Sequence, residues 1–552
     1  MWQQQDSEES FSAYLQDSKK QAEFFRILGP ASLLYALVYT FCLFENASGI
    51  TVPVFAAATV FYVSAVRKRL KNGRTQGGKC YVLGMLLLGV STCMTDHKGI
   101  IAGNYLGFLV LLLLFLIQQY DNDTGWGFGK HVAELLTVIF GACGCMLTPF
   151  VDGGAFYREK KKRKNQTLRA VLIGLLCAVP GLLVLGAFLI SADAVFGAMA
   201  GRVLSLVRMP LNAMRMVLLL LFGFFSSYCG MRFLCLQRRQ EEQVQRVKLE
   251  PVAAITFTGP IAAMYVVFCG IQVVYLFAGQ KRLPDGIGYA QYARSGFFQL
   301  LFVCMVNFVL VLLLQCYFKR HKVLDALLLL LCVCTFIMTA SSAYRMFLYI
   351  GSYQLTFLRV LVLAALAVLA LFMGGAMASV LKPQFPLFRY CVAVAGMAYL
   401  IVSFSHADYL IASYNLSHAA DLGQAVDWAY LSRLSMDAAP AVFSYQKQAS
   451  KEQQAQMRQS ALQAKKRLES GSGAQGYLRY GEQIPYESPG AYSPGENNGT
   501  GEEAPVYDSY EAFYEAQWYG MYVYKVYEAQ KNMNLRNFNF SRYLALKNLD
   551  CI

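Results

Sequence analysis

From Val360 to Leu381 no residue carries a charge, and most are Leu, Val, Ala, Met or Phe. A helix rises about 1.5 Å per residue, so some 20 apolar residues cross a hydrocarbon layer roughly 30 Å thick. One such run could be the central helix of a soluble domain. Here comparable runs recur at Ile27–Phe44, Ile50–Val66, Tyr81–Met94, Ile101–Tyr120, Ala170–Ile190 and Met214–Leu234. They continue at Ala253–Phe277, Phe297–Phe318, Val323–Tyr344, Leu355–Leu381 and Leu387–Phe404. The pattern predicts an all-α, polytopic transmembrane helical bundle of about eleven spans over residues 27–404, after a polar segment 1–26. Only 15% of the 552 residues are charged, against about 25% in soluble domains. Residues 1–26 do not read as a cleavable signal, and the first apolar run serves as an anchor.

The segment His131–Phe150 is less apolar. Glu134, Thr137, Gly141, Gly144 and Thr148 form a polar, small stripe, and Leu135, Val138, Ile139, Ala142 and Met146 lie opposite. It reads either as an interfacial amphipathic helix or as a further span packed through small residues. Charge decides between them. The net charge is +15, and the basic residues sit in short loops: Arg67 to Arg69, Arg158 to Lys164, Arg238 with Arg239, and Lys319 to Lys322. Cytoplasmic loops are enriched in Lys and Arg. All four loops fall on the cytoplasmic side if 131–150 is interfacial, with the N-terminus cytoplasmic and the C-terminus extracytoplasmic. The expected partners are the bilayer itself and anionic phospholipid at these basic loops. The excess charge is topological and does not point to nucleic acid.

Past His406 the chain loses its membrane character. Residues 405–470 read as an extracytoplasmic helical region and 471–505, rich in Gly, Ser and Pro, as a flexible linker. Residues 506–552 form an aromatic-rich helical segment containing Trp518, Tyr519 and Tyr522. It is too small for a core of its own, so packing on the membrane domain is expected. Of 15 Cys, only Cys551 lies in this polar region, which excludes an internal disulfide framework there. The rest behave as small apolar residues.

Motifs for chemistry are sparse. There is no P-loop, dinucleotide-binding glycine pattern, kinase set or HExxH, and the five His show no ligand spacing. No cofactor or metal is expected, and no catalytic residue is assigned. Asp96 and His97 read as a solvated loop pair. Few polar residues lie deep in a span; the candidates are Asn307, near the middle of its run and expected to hydrogen-bond between helices, and Gln272. Arg294, Arg345 and Arg359, with Tyr292 and Tyr344, fall at outer ends of spans. They form a candidate docking or anion cluster, pairing either with Asp408, Asp421, Asp427 and Asp437 of the tail or with a phosphate.

Several of these segments carry a resemblance. Tyr289 to Leu300, Ala340 to Met346, Leu355 to Arg359, Tyr414 with Asn415, and Tyr430 to Ala438 occur in order, with Ser191 to Asp193 before them and Asn537 to Ser541 after. Over residues 170–440 the chain resembles a family of bacterial multi-pass membrane proteins catalogued as a domain of unknown function. The resemblance implies a plasma-membrane setting and carries no activity with it. The reading is an integral membrane protein, not an enzyme, with an envelope-related scaffolding, sensing or regulatory role through its docked tail. A transporter or lipid flippase is the first alternative, and a membrane enzyme on lipid-linked substrates the second.

Overall fold

The computed structural model describes residues 2–70, 77–120, 126–160, 211–237, 248–274, 297–422, 426–469, 510–531 and 533–549, with scattered helical positions between 174 and 199. The expected span Ala170–Ile190, the connection Ser191–Arg208 and the linker 471–505 therefore lie largely outside the described residues. Among the described residues the chain is helical. A single parallel bridge joins Leu249 to Phe318, and there is no β-strand.

The bundle runs α1 (Trp2–Leu43), α2 (Thr51–Leu70), α3 (Lys79–Met94), α4 (Lys98–Tyr120), α5 (Phe128–Gly144) and α6 (Thr148–Lys160). It continues with α7 (Leu211–Gln237), α8 (Pro251–Gln272), α9 (Phe297–Tyr317), α10 (Lys322–Tyr353), α11 (Phe357–Leu381) and α12 (Leu387–Phe404). Of the ten expected spans that fall on described residues, eight are helices long and apolar enough to cross a membrane; α2, whose last turn carries Arg67, Lys68 and Arg69, is not among them, and α3 is apolar but shorter. Short turns reverse the chain between α1 and α2, α3 and α4, α9 and α10, and α11 and α12, so neighbours run antiparallel. The lipid-facing side is apolar to the tips: Phe61 and Ile401 are 75% and 71% exposed. A surface of that kind is stable only against hydrocarbon.

Two cores divide the bundle. One gathers α1 to α4 and α7 around Tyr62, Met85, Phe115 and Tyr228; the other gathers α8 to α12 around Phe308, Leu331, Met338 and Met373. Helix α5 joins them at one end. Gly129 meets Cys316 near the end of α9, and His131 stacks on Phe388 at the start of α12, centroids 4.1 Å apart. Gly141 sits against Phe233, and α6 packs on Phe25 through Gly153. Helices α5 and α6 meet at a bend of 53°, and taken as one they would be a further apolar segment long enough to cross a membrane. The buried residues of α5, His131 and Val138, are flanked by exposed Leu136, Ile139 and Phe140. The same end carries Arg67, Lys68, Arg69, Lys319, Arg320 and Lys322, and is called the basic end below.

The opposite end carries the tail: α13 (Ala407–Leu422), α14 (Trp428–Arg433), a 3-10 turn at Met436–Ala438, α15 (Ala439–Gln448), α16 (Lys451–Glu469), α17 (Tyr510–Lys531) and α18 (Phe540–Leu549). Tyr519, Tyr522, Phe443 and Leu431 form its core, and Leu355, Phe357 and Val360 of the bundle pack against them. The tail thus has a buried core of its own, contrary to the expectation from its size, and the bundle packs against that core through these three side chains.

Candidate functional site

The chain reverses from α3 to α4 through Thr95, Asp96 and His97, and the tail closes over this turn. Asp437, first brought in by the 3-10 turn that Ser435 caps, accepts from the Thr95 hydroxyl and, at 2.9 Å, from the Asp96 amide. His406 Nδ1 lies 3.7 Å from the same carboxylate. His406 has φ 47°, the left-handed conformation that lets α12 end and α13 leave at once; a non-glycine residue pays for that conformation, and the Asp437 contact helps hold it. Asp408 accepts from the Ser435 amide at 2.8 Å, and its other oxygen is 3.9 Å from His97 Nε2. His97 Nδ1 accepts from the Ile100 amide at 3.2 Å, which starts α4 and leaves the ring proton on Nε2, facing Asp408.

From α18, Arg542 donates to Asp96 at 2.7 Å. Asn539 donates to the carbonyls of Thr95 at 2.8 Å and Ser48 at 3.1 Å. Asn46, in the α1–α2 turn, reaches the Arg536 carbonyl at 3.0 Å. A Cβ on Gly49 would lie 2.4 Å from that carbonyl, so the turn admits only glycine there. Tyr522 donates to the Ser435 carbonyl at 2.7 Å and Lys525 to the Leu434 carbonyl at 2.6 Å.

The charges in this seam are tuned against one another. Burial pushes the Asp96 carboxyl up, and Arg542 opposes it. Burial also acts upward on Asp437, but hydrogen bonds from His406, Thr95 and the Asp96 amide outweigh it, so Asp437 lies below the usual carboxylate range. Asp437 raises His406 against the burial that lowers it. Burial lowers Lys525, while Asp96 and Asp408 raise it. The Asp408 and Asp437 side chains are 1% and 0% exposed. As placed, these acids and bases hold the tail; a substrate would reach them only with the tail displaced. Asp96 and His97 are thus not the solvated pair expected from sequence.

Beneath the seam, a neutral network enters the bundle. Asn104 accepts from Tyr399 at 2.9 Å and Ser403 at 2.8 Å and donates to Thr92 at 3.0 Å, while the Ser91 and Ser403 hydroxyls bond each other.

The predicted site residues separate into two places. Arg294 and Tyr292 lie outside the described residues. Gln272 and Arg345 come together: Gln272 Oε1 accepts from Ser341 at 2.7 Å and from Arg345 at 3.1 Å, all three buried. Asn307 lies deeper and is fully buried; it accepts from Tyr265 at 2.9 Å and donates to Thr335 at 3.1 Å. Arg359 donates to the carbonyls of Tyr353 and Gln354 and lies 4.2 Å over the Tyr349 ring. Tyr344 is 41% exposed. Of the tail carboxylates expected to meet these arginines, the Asp421 side chain lies outside the described residues, and the other three have different partners. Asp408 and Asp437 face the α3–α4 turn, and Asp427 caps α14 through the Tyr430 amide at 2.9 Å.

One ion pair was not foreseen. Asp152 of α6 accepts from Arg232 Nε at 2.8 Å and Tyr228 at 2.9 Å of α7, with the guanidinium 4.2 Å over Phe24. Asp152 and Arg232 are 1% and 6% exposed. The signals in the sequence were a carboxylate among apolar residues and, 80 positions on, an arginine inside the expected span Met214–Leu234, with nothing to join them. Among the described residues no group of His, Cys, Asp and Glu is arranged to hold a metal.

Stacked apolar helices with sealed internal polar networks define a polytopic, all-α membrane protein. Residues 82–445 match the DUF4153 family, described as a domain of unknown function, and the chain belongs to it. No curated protein and no solved structure matches the chain. The motifs that carried the resemblance lie largely at the tail junction. Asn415 bonds both the amide and carbonyl of Leu355, at 2.8 and 2.9 Å, and the Tyr430 hydroxyl accepts from the Phe357 amide at 2.8 Å. Ser435, Asp437 and Asn539 belong to the seam itself.

Proposed function

We propose that this chain is a regulatory or sensing protein of the bacterial plasma membrane, with its tail extracytoplasmic and latched to the bundle in the resting state. The observation that carries the reading is the seam in which partly exposed Asp96, His97, His406 and Arg542 surround the buried Asp408 and Asp437. Ionisable groups buried between two parts of one chain are costly, and they fit a junction that must both hold and release. The basic end opposite the tail supports the orientation.

Two experiments test it. Leu535, 91% exposed in the tail, becomes Cys; in sealed cells an impermeant thiol reagent should label it, whereas Lys322→Cys at the basic end should stay unlabelled. The reverse pattern contradicts the orientation. For the role, Asp437→Asn, inserted at normal level, should reproduce under envelope stress the phenotype of a strain lacking the protein or lock it in one response. Wild-type behaviour with a released tail would count against regulation.

A second reading, a carrier, draws on the polar stripe of α10, where Thr335, Thr339, Ser341 and Arg345 face Asn307 and Gln272. Flux of a substrate in proteoliposomes, lost in Asn307→Ala, would favour it.

A further inference from the structure

Residues 533–539 and α18 lie over the ends of bundle helices. Asn46, three residues past the end of α1, donates to the Arg536 carbonyl. Cys93, in the last turn of α3, donates to the Phe538 carbonyl at 3.7 Å. Asn539 reaches the Thr95 carbonyl, three residues before α4 begins. Both α1 and α4 are long enough to cross a membrane. The apolar part of α1, Ser18–Leu43, has 26 residues and a length of about 39 Å, against a hydrocarbon layer of roughly 30 Å. Its end therefore reaches the headgroup layer, and residues 535–543 stand at that level.

Three large apolar or aromatic side chains stand exposed here. Leu535 is 91% exposed, and on α18 Phe540 and Tyr543 are 40% and 42% exposed. Phe540, Tyr543 and the exposed Lys547 recur at i, i+3 and i+7, so they share one face of the helix, opposite the buried Ser541, Ala545 and Leu549. Ile50, beside the Gly49 that touches Arg536, and Phe41, near the end of α1, are exposed in turn.

We propose that Leu535, Phe540 and Tyr543 seat in the lipid leaflet on the tail side of the membrane, at the boundary between headgroups and acyl chains. Tyrosine and lysine flanking apolar side chains are what that boundary attracts. Three side chains offer far less than the roughly 800 Å² per partner of a stable protein interface, so a second chain is the poorer fit. The loop is then a second hold on the tail, apolar where the seam is ionic. It holds whichever side of the membrane the tail occupies and whatever the tail regulates. The headgroup layer is hydrated, so a charged thiol reagent on the tail side still reaches position 535.

The test replaces Leu535 or Leu462 by the photoreactive p-benzoylphenylalanine in the full chain, held in nanodiscs of phosphatidylcholine and phosphatidylglycerol. Leu462 is 61% exposed on α16, which packs on α15 and α17 within the tail. After illumination, mass spectrometry should find lipid adducts at position 535 and none at position 462. Equal adducts at both positions, none at 535, or an adduct there to a second copy of the chain would each overturn the proposal. A second variant, Leu535→Ser, changes an exposed side chain and leaves the fold intact. It should speed tail cleavage in nanodiscs about fivefold, from the loss of roughly half a leucine's burial. Unchanged cleavage would overturn lipid seating as a hold on the tail. Failure of the regulatory reading leaves both expected results as they stand.

Discussion

Two polar seams run through this molecule, and they are built from different chemistry. At the tail end the groups are ionisable: Asp96, Asp408 and Asp437 against His97, His406 and Arg542. Within the second half of the bundle they are mainly neutral amides and hydroxyls: Asn307 with Tyr265 and Thr335, and Gln272 with Ser341, reaching a charge only at Arg345. The difference follows from the cost of charge in hydrocarbon. Amides and hydroxyls can fix helix register at any depth, but they do not titrate. Carboxylates and imidazoles are confined to the ends, where they give a joint that responds to conditions. On this basis the first seam is the switchable one and the second the fixed one.

The comparison can be broken in several ways. The largest effect is expected at the exception, the buried pair Asp152–Arg232. Arg232→Met leaves Asp152 buried without its cation and should cost about 3–5 kcal/mol of bundle stability, read by thermal unfolding in detergent. Adding Asp152→Asn should recover most of it, because the uncompensated charge is gone. Arg542→Ala should weaken tail docking by about 1–2 kcal/mol, discounted because the guanidinium is 29% exposed. Limited proteolysis of the tail should accelerate five- to thirtyfold on that basis, with bundle unfolding unchanged. Asn307→Ala should do the opposite, costing the bundle about 0.6–1.7 kcal/mol and leaving tail cleavage unaltered.

The smallest effect is on pH. His406 is raised above 6.5 by the Asp437 carboxylate, so its contribution is complete below that value and fades as pH rises through the raised one. Asp437 lies below 3.8, so its contribution is present above that value and is lost as acid passes through the lowered one. Asp96 and Lys525, whose charged forms burial disfavours, pull the other way at their own pKa values and flatten the profile. Tail cleavage should therefore rise as pH passes upward through the raised His406 value, and His406→Gln should abolish that limb while sparing the acid one. Parallel pH profiles for the two proteins would exclude His406 from the latch.

The apolar runs, the basic end and the helical tail were all legible in the sequence, because hydrophobic length and charge are local properties. The seam was not. Thr95 and Asp437 are 342 positions apart, and Asp96 and Arg542 are 446 apart. No periodicity joins such residues. What sequence did offer was two ionisable residues in a three-residue turn, and motif fragments around Ser435, Asp437 and Asn539 too polar for their apolar surroundings. The arginines show the same limit: Arg345 and Arg359 lie at the tail end of their helices, where Gln272 and backbone carbonyls within hydrogen-bond reach engage them. Helix α5 showed an amphipathic pattern, yet its buried line, His131 and Val138, joins the two halves through ring stacking that no helical wheel displays.

The most direct test is hydrogen exchange on the full chain in lipid nanodiscs, wild type against Asp437→Asn. The account predicts that amides of Phe540–Leu549 and of the Thr95–His97 turn lose protection together, while Lys322–Tyr353 is unchanged. Full protection of Phe540–Leu549 in the variant, or its loss without any change in the turn, would contradict a tail held on the bundle by this carboxylate.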